Sequence, residues 1–173
     1  DDLADRLSCI SRNFSAPLVI GPLANFASRF LPGGYGESCL APAGDTEDHF
    51  PFAAGQFDLV IAAGTLDSID DLPGFLIRIR QTLKPDGLFL ASMFGAGTLT
   101  KLKTAMLIAY GDRAAAHIHP QIELKTASDL LTRAGFALPV ADRDGLDVLY
   151  RDWRRLVADL RAHGIGNALA GIR

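Results

Sequence analysis

Apolar positions along this chain fall into two kinds of pattern, and the two kinds alternate. Residues 16–21 (APLVIG), 57–63 (FDLVIAA) and 88–94 (LFLASMF) are short, almost unbroken apolar runs. Such runs predict strands buried on both faces, the form that central parallel strands take. Around them, apolar residues recur at helical spacing. Leu3, Leu7 and Ile10 predict a helix over 2–14, and Phe75, Leu76, Ile79 and Leu83 predict one after SIDDLPGF. Leu99, Leu102, Met106 and Ala109 predict a third over 98–110, and Trp153, Leu156, Val157 and Leu160 a fourth over 152–163. Fainter signals are one or two helical turns at 25–31 and strands at 37–41 and 147–150. Residues 44–56 are polar and show no period.

Turn and cap residues punctuate these segments. An Asp before Pro73 is placed to cap the helix that follows, with Pro73 in the first turn, where its missing N–H costs nothing. Lys84-Pro85-Asp86-Gly87 reads as a turn, with Pro fixing φ and Gly supplying a positive φ. Thr126-x-x-Asp129 predicts a helix start as an imperfect capping box, with Gly135 closing that helix and Gly164 the last one. Alternating buried strands and amphipathic helices predict an α/β fold, a parallel or mixed sheet covered on both faces.

At 173 residues, the chain is expected to form one domain, 1–173. With 49% apolar and 21% charged residues it has the composition of a folded domain. A net charge of −3 gives no basic field to draw it to nucleic acid. No apolar run approaches the ~20 residues of a membrane helix. The acidic start DDLADRL is unlike a secretory signal, and the beginning at Asp1 suggests a trimmed or partly ordered chain. Cys9 and Cys39 make neither a metal cluster nor a disulfide scaffold and are expected to be reduced, packing residues of a cytoplasmic protein. His49, His117, His119 and His163 lack helical zinc spacing, so no metal site is expected; His117 and His119, two apart, read as a solvated pair.

The run EDHFPFAAGQFDLVIAAGTLDSIDDLPGFLIRIRQTLKPDGLFLASMFGAGTL resembles the fourth-strand to fifth-strand segment of class I S-adenosylmethionine-dependent methyltransferases. RAGFALPVAD, VLYRDW and LVADLRAHGIGNAL narrow the likeness to the branch of the biotin-synthesis methyltransferases and the complex I assembly methyltransferase-like proteins. ADRLSCISRNF is similar to the helix before that branch's first strand. The resemblance implies a Rossmann-like, mostly parallel twisted sheet of seven strands, helices on both faces and an antiparallel C-terminal hairpin. It implies S-adenosylmethionine at the carboxyl ends of the first strands. There a glycine-rich turn follows the first strand, an acid at the end of the second holds the ribose hydroxyls, and a carboxylate after the third meets the adenine edge.

The chain departs from that pattern in three places. The expected GxGxG turn reads Gly21-Pro22-Leu23-Ala24-Asn25, keeping only Gly21. No acid directly follows the second-strand candidate, and the nearest carboxylate is Asp45. The distance from Leu40 to Phe57 is too short for the family's helix and third strand, so the helix between the second and third strands is expected to be lost and the third strand shortened or lost with it. Glu47 or Asp48 can stand for the family's acid before HFPF, or belong to a solvated acidic loop. Asp67 and Ser68 occupy the place where the branch often has His-Trp, and Asp67 is either a polar contact or a turn residue. Asp70 and Asp71 read as helix caps.

The expected cofactor contacts are therefore Gly21, Asp45, Glu47, Ala63, Gly64 and Asp67, with no catalytic residue singled out. Two functions follow: a methyltransferase-like protein with a degenerate cofactor loop, or a non-catalytic binding or assembly module on the same fold. Other chemistry on the fold is a third, since the complex I branch includes arginine hydroxylation. The basic helix with Arg151, Trp153, Arg154, Arg155 and Arg161 is a candidate docking surface for a membrane or a protein partner, or a solvated face opposite a core stripe.

Overall fold

The computed structural model describes residues 2–21, 38–39, 50–111 and 120–163. Its centre is a four-stranded, all-parallel sheet built from β1 (Pro17–Ile20), β2 (Ser38–Cys39), β3 (Phe57–Ala63) and β4 (Leu83–Ser92), in the order β2-β1-β3-β4. β1 and β3 run in register from Pro17↔Leu59 to Ile20↔Ala62, and both are buried throughout. In the doubly wound order 3-2-1-4-5, these strands take the places 2-1-4-5. No strand is present beyond β2 among the described residues, and residues 50–56 form none.

Helices cover the two faces unequally. α2 (Leu72–Thr82) presses Phe75, Leu76 and Ile79 onto Leu18, Ile20, Val60 and Ala62. It starts where expected because the Asp71 carboxylate accepts from the Gly74 N–H at 2.9 Å and Pro73 lies in the first turn. α4 (Leu124–Arg133) adds Leu130 and Leu131 to the same face. The other face, Val19, Leu59, Ile61 and Ala63, is met by Leu3 and Leu7 of α1 (Asp2–Ser8) and by Phe14. α3 (Thr100–Tyr110) and α5 (Trp153–Ala162) bury no residue fully. Arg6 of α1 forms a paired bridge to Asp142, at 2.6 and 2.5 Å, tying the first helix to the chain after α4.

Several local expectations change. The first helix stops at Ser8 rather than Phe14, as the chain turns through Cys9 and Ile10. Lys84-Pro85-Asp86-Gly87 is a bulge inside β4, with Leu83 opposite Phe57 and Leu88 opposite Leu59, rather than a turn ahead of the strand. The positive φ falls on Asp86, at 57°, and Gly87 serves close approach instead: a Cβ there would sit 2.8 Å from Leu83 Cδ2 and 2.9 Å from the Lys84 carbonyl oxygen. α4 starts at Leu124 with Glu123 at its cap, so Thr126 and Asp129 form no capping box; Asp129 pairs one turn back with Lys125 at 3.2 Å. Its end is as expected. Gly135 takes φ 89°, its N–H bonds Thr132 O, and the Phe136 N–H bonds Leu131 O, the two bonds of a Schellman end.

The strand expected at 147–150 does not form, and no antiparallel C-terminal hairpin is present among the described residues. A strand gains from a neighbour's ladder and from one buried face. This segment has neither, and Leu146 and Leu149 stand 87% and 96% exposed. The residues 25–31, the rest of 37–41 and the sites Asp45 and Glu47 lie outside the described residues, as do Asp48, His49, His117, His119 and Gly164.

Candidate functional site

The carboxyl ends of β1 and β3 meet where the chain reverses strand order, the place at which open parallel sheets bind ligands. Gly21 follows β1 with φ 106°, and Gly64 follows β3 with φ 67°. Register makes them neighbours, since Ile20 lies opposite Ala62. The contact is close: a Cβ on Gly21 would run into the Ala63 carbonyl oxygen and lie 3.1 Å from the Thr65 Cβ. Gly21 is thus required by packing inside the chain, independently of any ligand. On the far side, the Gly64 N–H bonds Ser92 O at 3.2 Å, carrying the β4 ladder one residue past the end of β3.

Thr65 is buried beneath this junction. A single 3₁₀ turn, Leu66–Ser68, then carries Asp67 over the end of the sheet, half-buried, while Leu66 and Ile69 fasten the turn into the core. Asp71 is occupied as the α2 cap, as expected, and Asp70 is exposed. The structure therefore gathers Gly21, Ala63, Gly64 and Asp67 at one end of the sheet. Thr65, which fills the floor between them, was not singled out from sequence; no motif marks a buried threonine after a strand.

Asp58 was also missed, and it works at the opposite end. It is 7% exposed, and its carboxylate accepts from the Ser15 N–H and hydroxyl, both at 2.8 Å, and from the Ala16 N–H at 3.0 Å. Burial pushes its pKa up, but the bonds from Ser15 and Ala16 and the nearby Lys84 outweigh that and hold it below the usual carboxylate value. Its only sequence signal is a charge at the second position of an otherwise apolar strand.

Residues 50–52 approach along α2. Phe50 stands edge-on to Phe75, in the first turn of α2, with centroids 5.4 Å apart, and Phe52 stands edge-on to Phe57 at 5.2 Å. A shallow open groove of about 580 Å³ lies elsewhere, between Leu149, Tyr150 and Arg151 on one side and Arg155, Ala158 and Asp159 on the other. In it the Tyr150 hydroxyl donates to the Asp159 carboxylate, which raises the tyrosine pKa. Trp153 is 65% exposed, with Arg154 over its ring at 5.0 Å. Among the described residues no helix is long and apolar enough to cross a membrane, and no three His, Cys, Asp or Glu residues gather as a metal site.

The profile of the methyltransferase domain family matches residues 9–139. The human mitochondrial arginine-hydroxylase NDUFAF5 is 31% identical over 187 aligned residues, covering 95% of this chain and 54% of that protein. The malonyl-[acyl-carrier protein] O-methyltransferase of Xylella fastidiosa is 40% identical over 119 residues, covering 69% of this chain and 39% of that protein. The chain thus spans about half the length, or less, of these relatives. Among solved structures, a phosphoethanolamine N-methyltransferase of Haemonchus contortus in complex with S-adenosylhomocysteine aligns with TM-score 0.54 at 16% identity, over 78% of this chain and 36% of that one. A methyltransferase-like protein of Bacillus halodurans aligns with TM-score 0.56 at 18% identity, over 81% and 68%. Those two likenesses carry the Rossmann-like fold, and the profile match carries the family: the chain belongs to the S-adenosylmethionine-dependent methyltransferase-like proteins, alongside the arginine hydroxylases and malonyl-[acyl-carrier protein] methyltransferases.

Proposed function

We propose that this chain is a methyltransferase-like domain whose cofactor end is reduced, binding S-adenosylmethionine weakly at the junction of β1 and β3. The observation that carries this reading is the placement of Gly21 and Gly64 side by side at the switch point, with Asp67 on the turn above. The fit is partial. Gly64 and Asp67 would face the cofactor, whose sulfonium supplies the methyl group, whereas Gly21 spends its freedom on Ala63 and forms the floor. Asp45 and Glu47 are the candidates for the ribose and adenine carboxylates.

A reduced site is supported by Pro22 and Leu23 in place of the glycine turn, and by the alignment with the human relative. That alignment runs 187 residues, more than the 173 of the whole chain, so this chain lacks residues that the relative has. Each missing contact lowers affinity separately. The relatives divide between O-methylation and arginine hydroxylation, so family membership leaves the reaction open. The second reading, a non-catalytic module acting through a protein partner in the cytoplasm, rests on the same losses and on the exposed Arg151, Trp153, Arg154 and Arg155 of the C-terminal half.

Titration calorimetry with S-adenosylmethionine and S-adenosylhomocysteine separates the two. Binding near or below 100 micromolar, about −5.5 kcal/mol, supports the first reading. A folded protein that gives no heat at millimolar ligand removes it and leaves the binding module.

A further inference from the structure

Among the described residues, the buried polar side chains are Asp58, Thr65 and Thr82. Two of them serve the fold alone. Asp58 accepts from Ser15 and Ala16, and the Thr82 hydroxyl donates to Ile79 O in the last turn of α2. Thr65 is 1% exposed and lies at the ligand end of the sheet. A buried hydroxyl has to find a partner, and valine would fill the same space without that demand. The turn beside it does not explain the hydroxyl. Thr65 stands at the head of the 3₁₀ turn, yet its side chain makes no capping bond there.

Thr65 borders both corners of the β1–β3 junction. Gly64, at φ 67°, precedes it directly and turns the chain out of β3. The Thr65 Cβ lies against the end of β1, since a Cβ placed on Gly21 would stop 3.1 Å from it. Gly21 has no side chain with which to hold its own place, and the Ala63 carbonyl excludes any that might be added. Its position is therefore set from across the junction, by Ala63 and Thr65. A β-branched side chain is stiff at χ1, so in this buried place the methyl and hydroxyl groups keep fixed directions.

We infer that Thr65 is a positioning residue for S-adenosylmethionine, its hydroxyl holding the Gly21 corner against the Gly64 corner in the geometry that takes the cofactor. The inference rests on the reading that the cofactor binds at this junction. Thr65 is buried beneath the site, so it acts through the two glycines and not on the sulfonium. Its methyl group serves packing and its hydroxyl serves the site, and the two roles separate under substitution.

The test compares the native chain with Thr65→Val, and Thr65→Ser with Thr65→Ala. Each pair differs by the hydroxyl, the first with the branched shape kept and the second without the methyl group. All are titrated with S-adenosylhomocysteine by calorimetry and unfolded in urea without ligand. Loss of the hydroxyl is expected to weaken binding about ten-fold in both pairs, about 1.4 kcal/mol. Thr65→Ser is expected to lower the urea midpoint while its affinity stays within about two-fold of native. Packing alone would tie affinity to stability, so Thr65→Ser binding as weakly as Thr65→Val overturns the inference. Equal affinity across either hydroxyl pair also overturns it. If Thr65→Val does not fold, Thr65→Ala against Thr65→Ser decides. A native chain that gives no heat at millimolar ligand fails the cofactor reading and the inference with it, whereas native binding that ignores the hydroxyl fails the inference alone.

Discussion

Burial works against the charge of Asp58, and three donors from Ser15 and Ala16, with Lys84 nearby, more than offset it. Asp58→Asn leaves those donors facing an amide that accepts through one oxygen only. A loss on the order of 2 kcal/mol is expected at neutral pH, read by urea denaturation. Because the folded-state pKa lies below the ordinary 3.8, the stability supplied by Asp58 is complete above that value and fades as pH falls through the lowered one. The gap between native and variant should therefore hold at pH 7 and narrow in acid; a gap that widens on acidification sinks this account. Gly21→Ala makes a second case at this scale. Its φ of 106° and the Ala63 carbonyl leave no room for a methyl group, so a loss on the order of 2 kcal/mol is expected with no ligand present. Lost cofactor binding in a Gly21 variant is informative only if that variant stays folded, and a variant as stable as the native chain would show that the β1–β3 junction can open.

At the scale of elements, α2 was legible up to its last turn because local and tertiary signals agree, whereas Leu83, expected on its apolar stripe, opens β4 instead. Asp71 caps it, Pro73 starts it, and Phe75, Leu76 and Ile79 all reach the core. Asp71→Ala should cost about 1 kcal/mol through the lost Gly74 bond, measured as a fall in denaturation midpoint with unchanged slope. β1 and β3 were equally plain, since unbroken apolar runs have no soluble alternative to burial. Elements were misread where the sequence offers a motif and packing decides against it. Thr126 and Asp129 have capping-box spacing, yet Glu123 takes the cap. Lys84-Pro85-Asp86-Gly87 has turn composition, yet Leu83 already pairs with Phe57, so the extra residues bulge out of a strand. Val148 and Leu149 look like a strand, but β structure needs a neighbour that local sequence does not name. The candidate site was legible through Gly21, Ala63 and Gly64, which end apolar runs. Thr65 was hidden because its burial depends on where β1 lies.

At the scale of the whole molecule, burial among the described residues is concentrated in the central strands and one helix. β1, β3 and α2 supply nearly all of the buried apolar side chains described, whereas α3 and α5 supply none. Hydrogen exchange reports that contrast directly, because amides open with free energies ranging from near zero to the global value. Amides of Val60, Ile61 and Ala62 sit between two neighbouring strands with 0% exposure and should exchange only on global unfolding. Amides of α5 should exchange through local opening, at rates at least 100-fold faster, since about 2.7 kcal/mol of difference suffices for that ratio. Asp152 at the cap and the Tyr150–Asp159 bond slow fraying of that helix, but the first is exposed and the second only part-buried, and contacts so open to water are worth little. Binding of S-adenosylmethionine at the β1–β3 junction would leave α5 exchange unchanged, whereas a partner docked on Arg151, Trp153 and Arg155 would slow it. Equal protection of α5 and β3 in the free chain would mean that the C-terminal helix is held by contacts outside the described residues.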